Sequence, residues 1–170
     1  KNLKLGIYSD AGTATCAGMP GSLGHEYQDA LQYARWGIDY LKEDWCNTTN
    51  INPQGAYQLM SDALREAGRP IFLSMCEWGG NQPWKWAREI GHSWRIGPDI
   101  WCNFDSTRVH GGGWTDIGVM QCIRKNEQLR GYEEEREKKG MFHFFISKKP
   151  LLPVGGTAVD IAILRISVRN

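Results

Sequence analysis

Acidic residues recur in this sequence at the points where short apolar runs end. They are Asp10 after "LKLGIYS", Asp44 after "IDYLKE", Glu77 after "RPIFLSMC" and Asp99 after "SWRIGP". An unpaired buried charge is very costly, so these acids are expected where a strand leaves the core and enters a polar pocket. Acids that cap the following helices, or remain solvated, are the alternative interpretation. Their recurrence at four matching positions favours a shared cleft.

Two of these acids, Asp44 and Asp99, predict a carboxylate pair across one pocket. Such a pair is the minimum for glycoside hydrolysis, in which one carboxylate attacks or activates water and the other protonates the leaving oxygen. Lys42 shares the strand face of Asp44, and a neighbouring cation favours the charged carboxylate that a nucleophile requires. Arg95 and Glu77 add a donor fork and an acceptor for sugar hydroxyls. Carboxylates at a barrel rim also serve aldolases and metal enzymes, so these residues alone leave the reaction open.

Strand-like and helix-like segments alternate along the chain and must position these acids. Strands are predicted at 3–10, 38–44, 69–77 and 93–99, and helices at 25–37, 53–68, 82–91 and 114–131. This alternation predicts parallel strands joined by right-handed crossovers. We therefore expect an α/β fold, a partial (β/α)8 TIM barrel of about four β/α units, in which the carboxyl ends of the strands converge on the active site. An open doubly wound sheet is the rival, but "SDAGTATCAG" lacks the G-x-G-x-x-G phosphate turn.

The composition narrows the classes of partner. The chain has 170 residues, 41% of them hydrophobic, with a formal net charge of +1. This near-neutral balance gives no electrostatic case for nucleic acid or a membrane surface, and no apolar run has membrane-spanning length. The five cysteines and four histidines show no C-x-x-C, H-x-H or H-E-x-x-H spacing. We therefore expect no metal site and no cofactor. The eight tryptophans suit a carbohydrate cleft or a packed core equally well.

Five motifs follow one another in a specific order and spacing. They are "GIYSDAG", "TCAGMPGSLGHE", "WGIDYLKEDWCN", "GRPIFLSMCEWG" and "SWRIGPDI". In that order they resemble the family 27 glycoside hydrolases, the melibiase or α-galactosidase family. The resemblance runs from about residue 3 to residue 101, and more loosely to residue 132. It implies a retaining (β/α) barrel hydrolase that releases terminal α-linked galactose from oligosaccharides or glycoconjugates.

The resemblance also implies roles for individual residues. Asp44 in "LKED" is similar to the catalytic nucleophile, and Asp99 in "WRIGPD" to the general acid/base. Asp44 would form a covalent galactosyl-enzyme while Asp99 protonates the departing oxygen and then deprotonates the water. The residues implied to bind substrate are Tyr8, Lys42, Cys46, Glu77 and Arg95. Cys16 and Cys46 occupy the positions of a family disulfide, whereas Cys76 is expected to be unpaired.

Related specificities use the same machinery. An acid at Glu77 suits a free 2-hydroxyl, whereas room beside Gly79 and Gly80 for an acetamido group would suit an α-N-acetylgalactosaminidase. A β-L-arabinopyranosidase is a further alternative. A third hypothesis, from another class, is a non-catalytic remnant that at most binds sugar.

The resemblance covers only part of the family barrel, which has eight strands. We therefore expect a catalytic-domain fragment, with residues 1–132 as a partial barrel and residues 133–170 as a divergent tail of unknown role. A half barrel exposes sheet edges, which predicts self-association. The chain begins "KNLKLG" without a signal region, while the family resemblance implies a secreted, periplasmic or lysosomal-type compartment.

Overall fold

The computed structural model describes residues 3–130, and the predicted tail at 133–170 lies outside the described residues. The elements, in chain order, are β1 (Gly6–Asp10), α1 (Glu26–Arg35), β2 (Tyr40–Asp44), α2 (Pro53–Glu66), β3 (Phe72–Cys76), β4 (Ser93–Trp94), β5 (Thr107–Val109), β6 (Thr115–Ile117) and α3 (Val119–Gln128). Two short 3₁₀ turns, Pro83–Lys85 and Ala87–Glu89, lie between β3 and β4.

Strands β1 to β4 form one parallel sheet in the order of the sequence. This arrangement confirms the predicted parallel strands with helical crossovers between them. Asp10 pairs with Asp44 across β1 and β2, and Asp44 pairs with Cys76 across β2 and β3. The last residues of three strands therefore form one row along the carboxyl edge of the sheet.

The two faces of the sheet have different surroundings. Leu41, Leu73 and Met75 face the helices and belong to one buried cluster with Tyr57 of α2. Successive side chains of a strand point to opposite faces. The alternate positions of β2, which include Lys42 and Asp44, therefore lie on the face that points away from α1 and α2.

Local signals fix the bounds of α2. The side chain of Asn52 accepts a hydrogen bond from the backbone N–H of Gly55 at 2.8 Å, and Pro53 occupies the first turn. Both are preferred at a helix start. Gly68, with φ +76°, follows the helix in the left-handed conformation that ends many helices. The predicted start and stop of this helix are thus confirmed within two residues.

Three predicted elements differ from the structure. The helix predicted at 82–91 consists of the two 3₁₀ turns, and the strand predicted at 93–99 extends only over β4. After β4, the N–H of Arg95 still donates to the carbonyl of Met75 at 2.9 Å, whereas Pro98 has no backbone N–H to donate. The helix predicted at 114–131 begins only at Val119, because residues 115–117 pair antiparallel with β5. This β5–β6 hairpin turns through Gly111–Gly113 and was not predicted.

Among the described residues, no helix has the length and apolar character needed to cross a membrane. The longest, α2, has 14 residues, whereas about 20 are needed to span the hydrocarbon core.

Candidate active site

Asp44, the predicted nucleophile, ends β2 beside a lysine. Its carboxylate oxygen Oδ2 lies 3.8 Å from Nζ of Lys42, and its side chain is 8% exposed. The other oxygen, Oδ1, accepts a hydrogen bond from the backbone N–H of Trp45 at 2.9 Å. The carboxylate is therefore fixed by a backbone donor on one side and a cation on the other.

Tyr8 lies next to this pair, on the neighbouring strand. It pairs with Lys42 in the sheet register, and Nζ of Lys42 lies 5.2 Å from the centre of its ring. Burial raises the pKa of the Tyr8 hydroxyl, and the negative charge of Asp44 raises that pKa further. Tyr8 consequently keeps its proton and remains a hydrogen-bond donor. The structure thus brings three predicted site residues together.

The predicted disulfide is present and closes one side of the site. Cys16 and Cys46 are bonded, with their Cα atoms 5.2 Å apart. Their sulfur atoms and a carboxylate oxygen from each of Asp10 and Asp44 all lie within 4.8 Å of one another. The bridge joins the loop after β1 to the loop after β2. It therefore holds Cys46 beside the predicted nucleophile.

Asp10 was predicted as a strand-end acid but was not included among the site residues. It is fully buried, and its two carboxylate oxygens accept hydrogen bonds from the backbone N–H groups of Gly12 at 2.8 Å and Cys46 at 2.9 Å. Burial raises the pKa of Asp10 to about 6. Asp10 thus fastens the same two loops that the disulfide joins. The Asp-x-Gly spacing in "SDAG" was the local signal for this turn.

Asp99, the predicted acid/base, reaches the same edge of the sheet through Arg95. The guanidinium Nη2 of Arg95 lies 2.6 Å from Oδ1 of Asp99, and its Nη1 donates to Sγ of Cys76 at 3.7 Å. Cys76 is the register partner of Asp44. A continuous series of contacts and register pairs therefore runs from Asp44 through Cys76 and Arg95 to Asp99. We call it the Asp44–Asp99 line.

Cys76 is part of this line. The sequence predicted only that it would be unpaired. It is a buried free cysteine. Burial raises the pKa of its thiol to about 12, so the group stays neutral and is a poor nucleophile. Only the cross-strand register reveals that Cys76 separates Asp44 from Arg95.

Glu77 is bound by its own loop. Its Oε1 accepts from the backbone N–H of Gly79 at 2.8 Å, and its Oε2 accepts from the backbone and side-chain nitrogens of Asn81 at 2.7 and 2.9 Å. Trp78 adopts the left-handed conformation, with φ +59°, which turns the loop back onto the carboxylate. Glu77 is buried, which raises its pKa. Its contact with a sugar hydroxyl stays a prediction.

The family described as Melibiase_2, Alpha galactosidase A, matches residues 1–127. Alpha-galactosidase A of Cellvibrio japonicus is 58% identical over 132 residues, which cover 78% of this chain and 32% of that protein. The structure of an α-galactosidase from Saccharomyces cerevisiae with raffinose is 41% identical, with a TM-score of 0.59, over 61% of this chain and 24% of that chain.

Alpha-galactosidase 2 of Arabidopsis thaliana is 59% identical over 168 residues, which cover 89% of this chain and 40% of that protein. The covered 89% of this chain is a longer stretch than residues 1–132. The similarity therefore extends into the segment predicted as a divergent tail. The domain boundary at residue 132 stays a prediction. The chain spans about a third of the length of the C. japonicus relative. Together with the parallel sheet, the comparisons establish a partial (β/α)8 barrel.

Proposed function

We propose that this chain, which belongs to the alpha galactosidase A (melibiase) family, carries the reaction centre of a retaining α-galactosidase. In this proposal Asp44 attacks the anomeric carbon of a terminal α-galactoside and forms a covalent galactosyl-enzyme. Asp99 protonates the leaving oxygen and then deprotonates the water that releases galactose. The configuration at the anomeric carbon is retained because it is inverted twice.

The Asp44–Asp99 line is the observation that carries this proposal. It connects two carboxylates at one edge of the sheet whose surroundings suit two different tasks. Asp44 is nearly buried and lies beside the Lys42 ammonium group, which suits an attacking carboxylate. Asp99 has a side chain that is 37% exposed, so a leaving group and water can reach its carboxylate.

The sugar pocket would be lined by donors on the same edge. Tyr8, Lys42 and Arg95 present a hydroxyl, an ammonium and a guanidinium group, which suit the oxygen atoms of a sugar. These binding roles, and that of Cys46 beside the disulfide, are part of the proposal. The S. cerevisiae relative was solved with raffinose. By analogy, we propose a galactose-containing oligosaccharide or glycoconjugate as the substrate of this chain.

The acid at Glu77 favours a galactosidase over an α-N-acetylgalactosaminidase in this proposal, because it suits a sugar with a free 2-hydroxyl. The two glycines of the following loop differ in their surroundings. A Cβ atom at Gly79 would overlap the carbonyl oxygen of Ile96, so this glycine allows the loop to pack on the segment after β4. A Cβ atom at Gly80 would meet no atom closer than 3.8 Å.

The proposal also includes an oxidising compartment and self-association through sheet edges. The Cys16–Cys46 disulfide supports an oxidising location, such as a secreted, periplasmic or lysosomal-type compartment. Within residues 3–130, β1 and β4 each pair along one edge only. Association through these edges is consistent with the behaviour of unprotected sheet edges.

The experiment that tests this function is a graft. The 132 aligned residues of this chain replace the corresponding segment of the C. japonicus relative, and hydrolysis of 4-nitrophenyl α-galactoside is measured. We refer to this protein as the grafted enzyme. We expect turnover, together with its loss in Asp44→Asn. An inactive but folded graft, or an Asp44→Asn variant that retains full activity, would contradict the proposal.

The 170-residue chain is assayed beside the graft. We expect little or no turnover from it, because catalysis requires both carboxylates to be held within about 0.5 Å of productive geometry by a supporting shell. The four-stranded sheet provides only one side of such a shell. Robust activity of the chain alone would show that the described strands suffice.

A further inference from the structure

The β5–β6 hairpin is attached directly to the backbone of Asp99. The carbonyl oxygen of Asp99 accepts a hydrogen bond from the N–H of Ile117 at 2.8 Å, and the N–H of Trp101 donates to the carbonyl of Ile117 at 3.1 Å. At the other side of its base, the N–H of Gly118 donates to the carbonyl of Ser106 at 2.8 Å. The last residue of the hairpin therefore lies beside the residue proposed to protonate the leaving oxygen.

Trp114 on this hairpin is exposed yet held in place. Its ring lies 3.5 Å from the ring of His110, with an angle of 1° between the planes, and its exposed fraction is 46%. Nε2 of His110 lies 2.7 Å from Oδ2 of Asp116, whose exposed fraction is only 2%. The indole is thus supported by a stacked ring that is itself fixed to a buried carboxylate.

Arg108, on β5, lies on the same face of the hairpin as Trp114, because it pairs with Asp116, two positions after Trp114, and alternate strand positions share a face. Its guanidinium lies 5.6 Å from the ring centre of Trp101, and the residue is exposed. Aromatic faces bind the apolar faces of rings, and the amphipathic Trp is suited to sites that are apolar on one side and wet on the other. Arg108 supplies donors in a fixed fork, which suit hydroxyl groups. The combination fits a neutral pyranose.

We propose that this hairpin forms the leaving-group subsite, with Trp114 stacking on the sugar that departs and Arg108 bonding to its hydroxyls. The inference rests on the proposed function, because it takes Asp99 as the acid. A general acid must touch the leaving oxygen, so the unit hydrogen-bonded to its backbone is well placed to meet the group beyond that oxygen. The ligand class is a neutral hexose attached to galactose.

The test compares two substrates of the grafted enzyme. In melibiose the leaving group is glucose. In α-galactosyl fluoride it is a fluoride ion, which has no ring to stack on the indole of Trp114. Trp114→Ala should lower kcat/KM for melibiose by about fivefold to thirtyfold, the loss expected for truncating an interfacial aromatic residue. It should leave kcat/KM for galactosyl fluoride unchanged. Trp114→Phe should restore part of the loss, since a ring remains.

Trp36→Ala is the matched control. Trp36 is exposed by 58% and follows α1, at the end of the sheet away from the Asp44–Asp99 line. Its removal should affect neither substrate. Equal losses of Trp114→Ala on both substrates, or no loss on either, would overturn the subsite while leaving the proposed function intact. A grafted enzyme that is inactive on both substrates before any substitution would overturn the proposed function and the subsite together.

Discussion

Arg95 holds Asp99 by an ion pair between its Nη2 and Oδ1 of the acid, 2.6 Å apart, while its Nη1 bonds to Cys76. The two residues lie four positions apart on the chain, and Arg95 is the connection between Asp99 and the row that contains Asp44. A single side chain with a planar donor fork therefore sets the position of the proposed acid/base.

Arg95→Lys should reduce cleavage of poor leaving groups more than cleavage of good ones. Lysine keeps the charge but cannot serve both partners, because its ammonium is a point donor. Misplacement of Asp99 should lower kcat/KM of the grafted enzyme for melibiose by roughly tenfold to a hundredfold. The loss should be smaller for galactosyl fluoride, whose leaving group needs little protonation.

Arg65→Lys is the control for this substitution. Arg65 pairs with Asp62 on the exposed surface of α2 at 2.9 Å, and exposed pairs contribute about 0–1 kcal/mol. It should leave both rates unchanged. Equal losses of Arg95→Lys on the two substrates would show that only the proposed contact with galactose, which both substrates share, is affected, and would contradict a role of Arg95 in positioning Asp99.

Removal of the disulfide should destabilise the chain. Cys16 and Cys46 are separated by 30 positions, and a cross-link over a loop of that size contributes about 3–4 kcal/mol in the chain-entropy description. The variant Cys16→Ser with Cys46→Ser should lose about that much unfolding free energy in urea. Cys102→Ser, at an exposed free cysteine, should not. Thiol counting in denaturant without reductant should find the three free cysteines, and five free thiols in oxidised protein would contradict the bridge.

Glu43 makes the unfolding free energy of the chain depend on pH. It lies fully buried between the sheet and the helices, and neither of its carboxyl oxygens has a hydrogen-bond partner among the described residues. Burial raises its pKa well above the ordinary value, and the charge of Asp10 adds to this effect. The folded chain therefore binds the Glu43 proton more tightly than the unfolded chain. This contribution to stability is present in acid and is lost as the pH rises.

Glu43→Gln should flatten this dependence. Between about pH 5 and about pH 8, the unfolding free energy of the unsubstituted chain should fall more steeply than that of the variant. The raised pKa of Asp10 acts in the same direction in both proteins, so their difference isolates Glu43. Denaturant unfolding of the 170-residue chain at several pH values measures this difference in unfolding free energy. Glu66→Gln, at an exposed residue, is the control. Parallel curves for Glu43→Gln and the unsubstituted chain would refute the assignment.

The parallel sheet and its edge could be predicted because they depend on local signals. Apolar runs that end in an acid, helix starts such as Asn52-Pro53 and stops such as Gly68 all act within a few residues. Asp44 and Lys42 share a face simply because strand positions alternate. These features were present in the sequence, and the structure has them.

The remaining features depend on contacts between distant segments. The role of Cys76 follows from its register with Asp44, which no local pattern specifies. The β5 strand was missed because all three of its residues are exposed, so it has no apolar alternation. The loop hydrogen bonds of Glu77 depend on a left-handed backbone at Trp78, a conformation that bulky residues rarely adopt.

Covalent labelling tests whether Asp44 is the nucleophile that forms the glycosyl-enzyme. The grafted enzyme is incubated with a fluorinated α-galactosyl fluoride that forms the glycosyl-enzyme faster than water removes it, and its peptides are analysed by mass spectrometry. We expect one fluorogalactosyl group, attached to Asp44, and none in Asp44→Asn. A label on Asp99, on Glu77 or on any other carboxylate, or an active enzyme without a label, would contradict it.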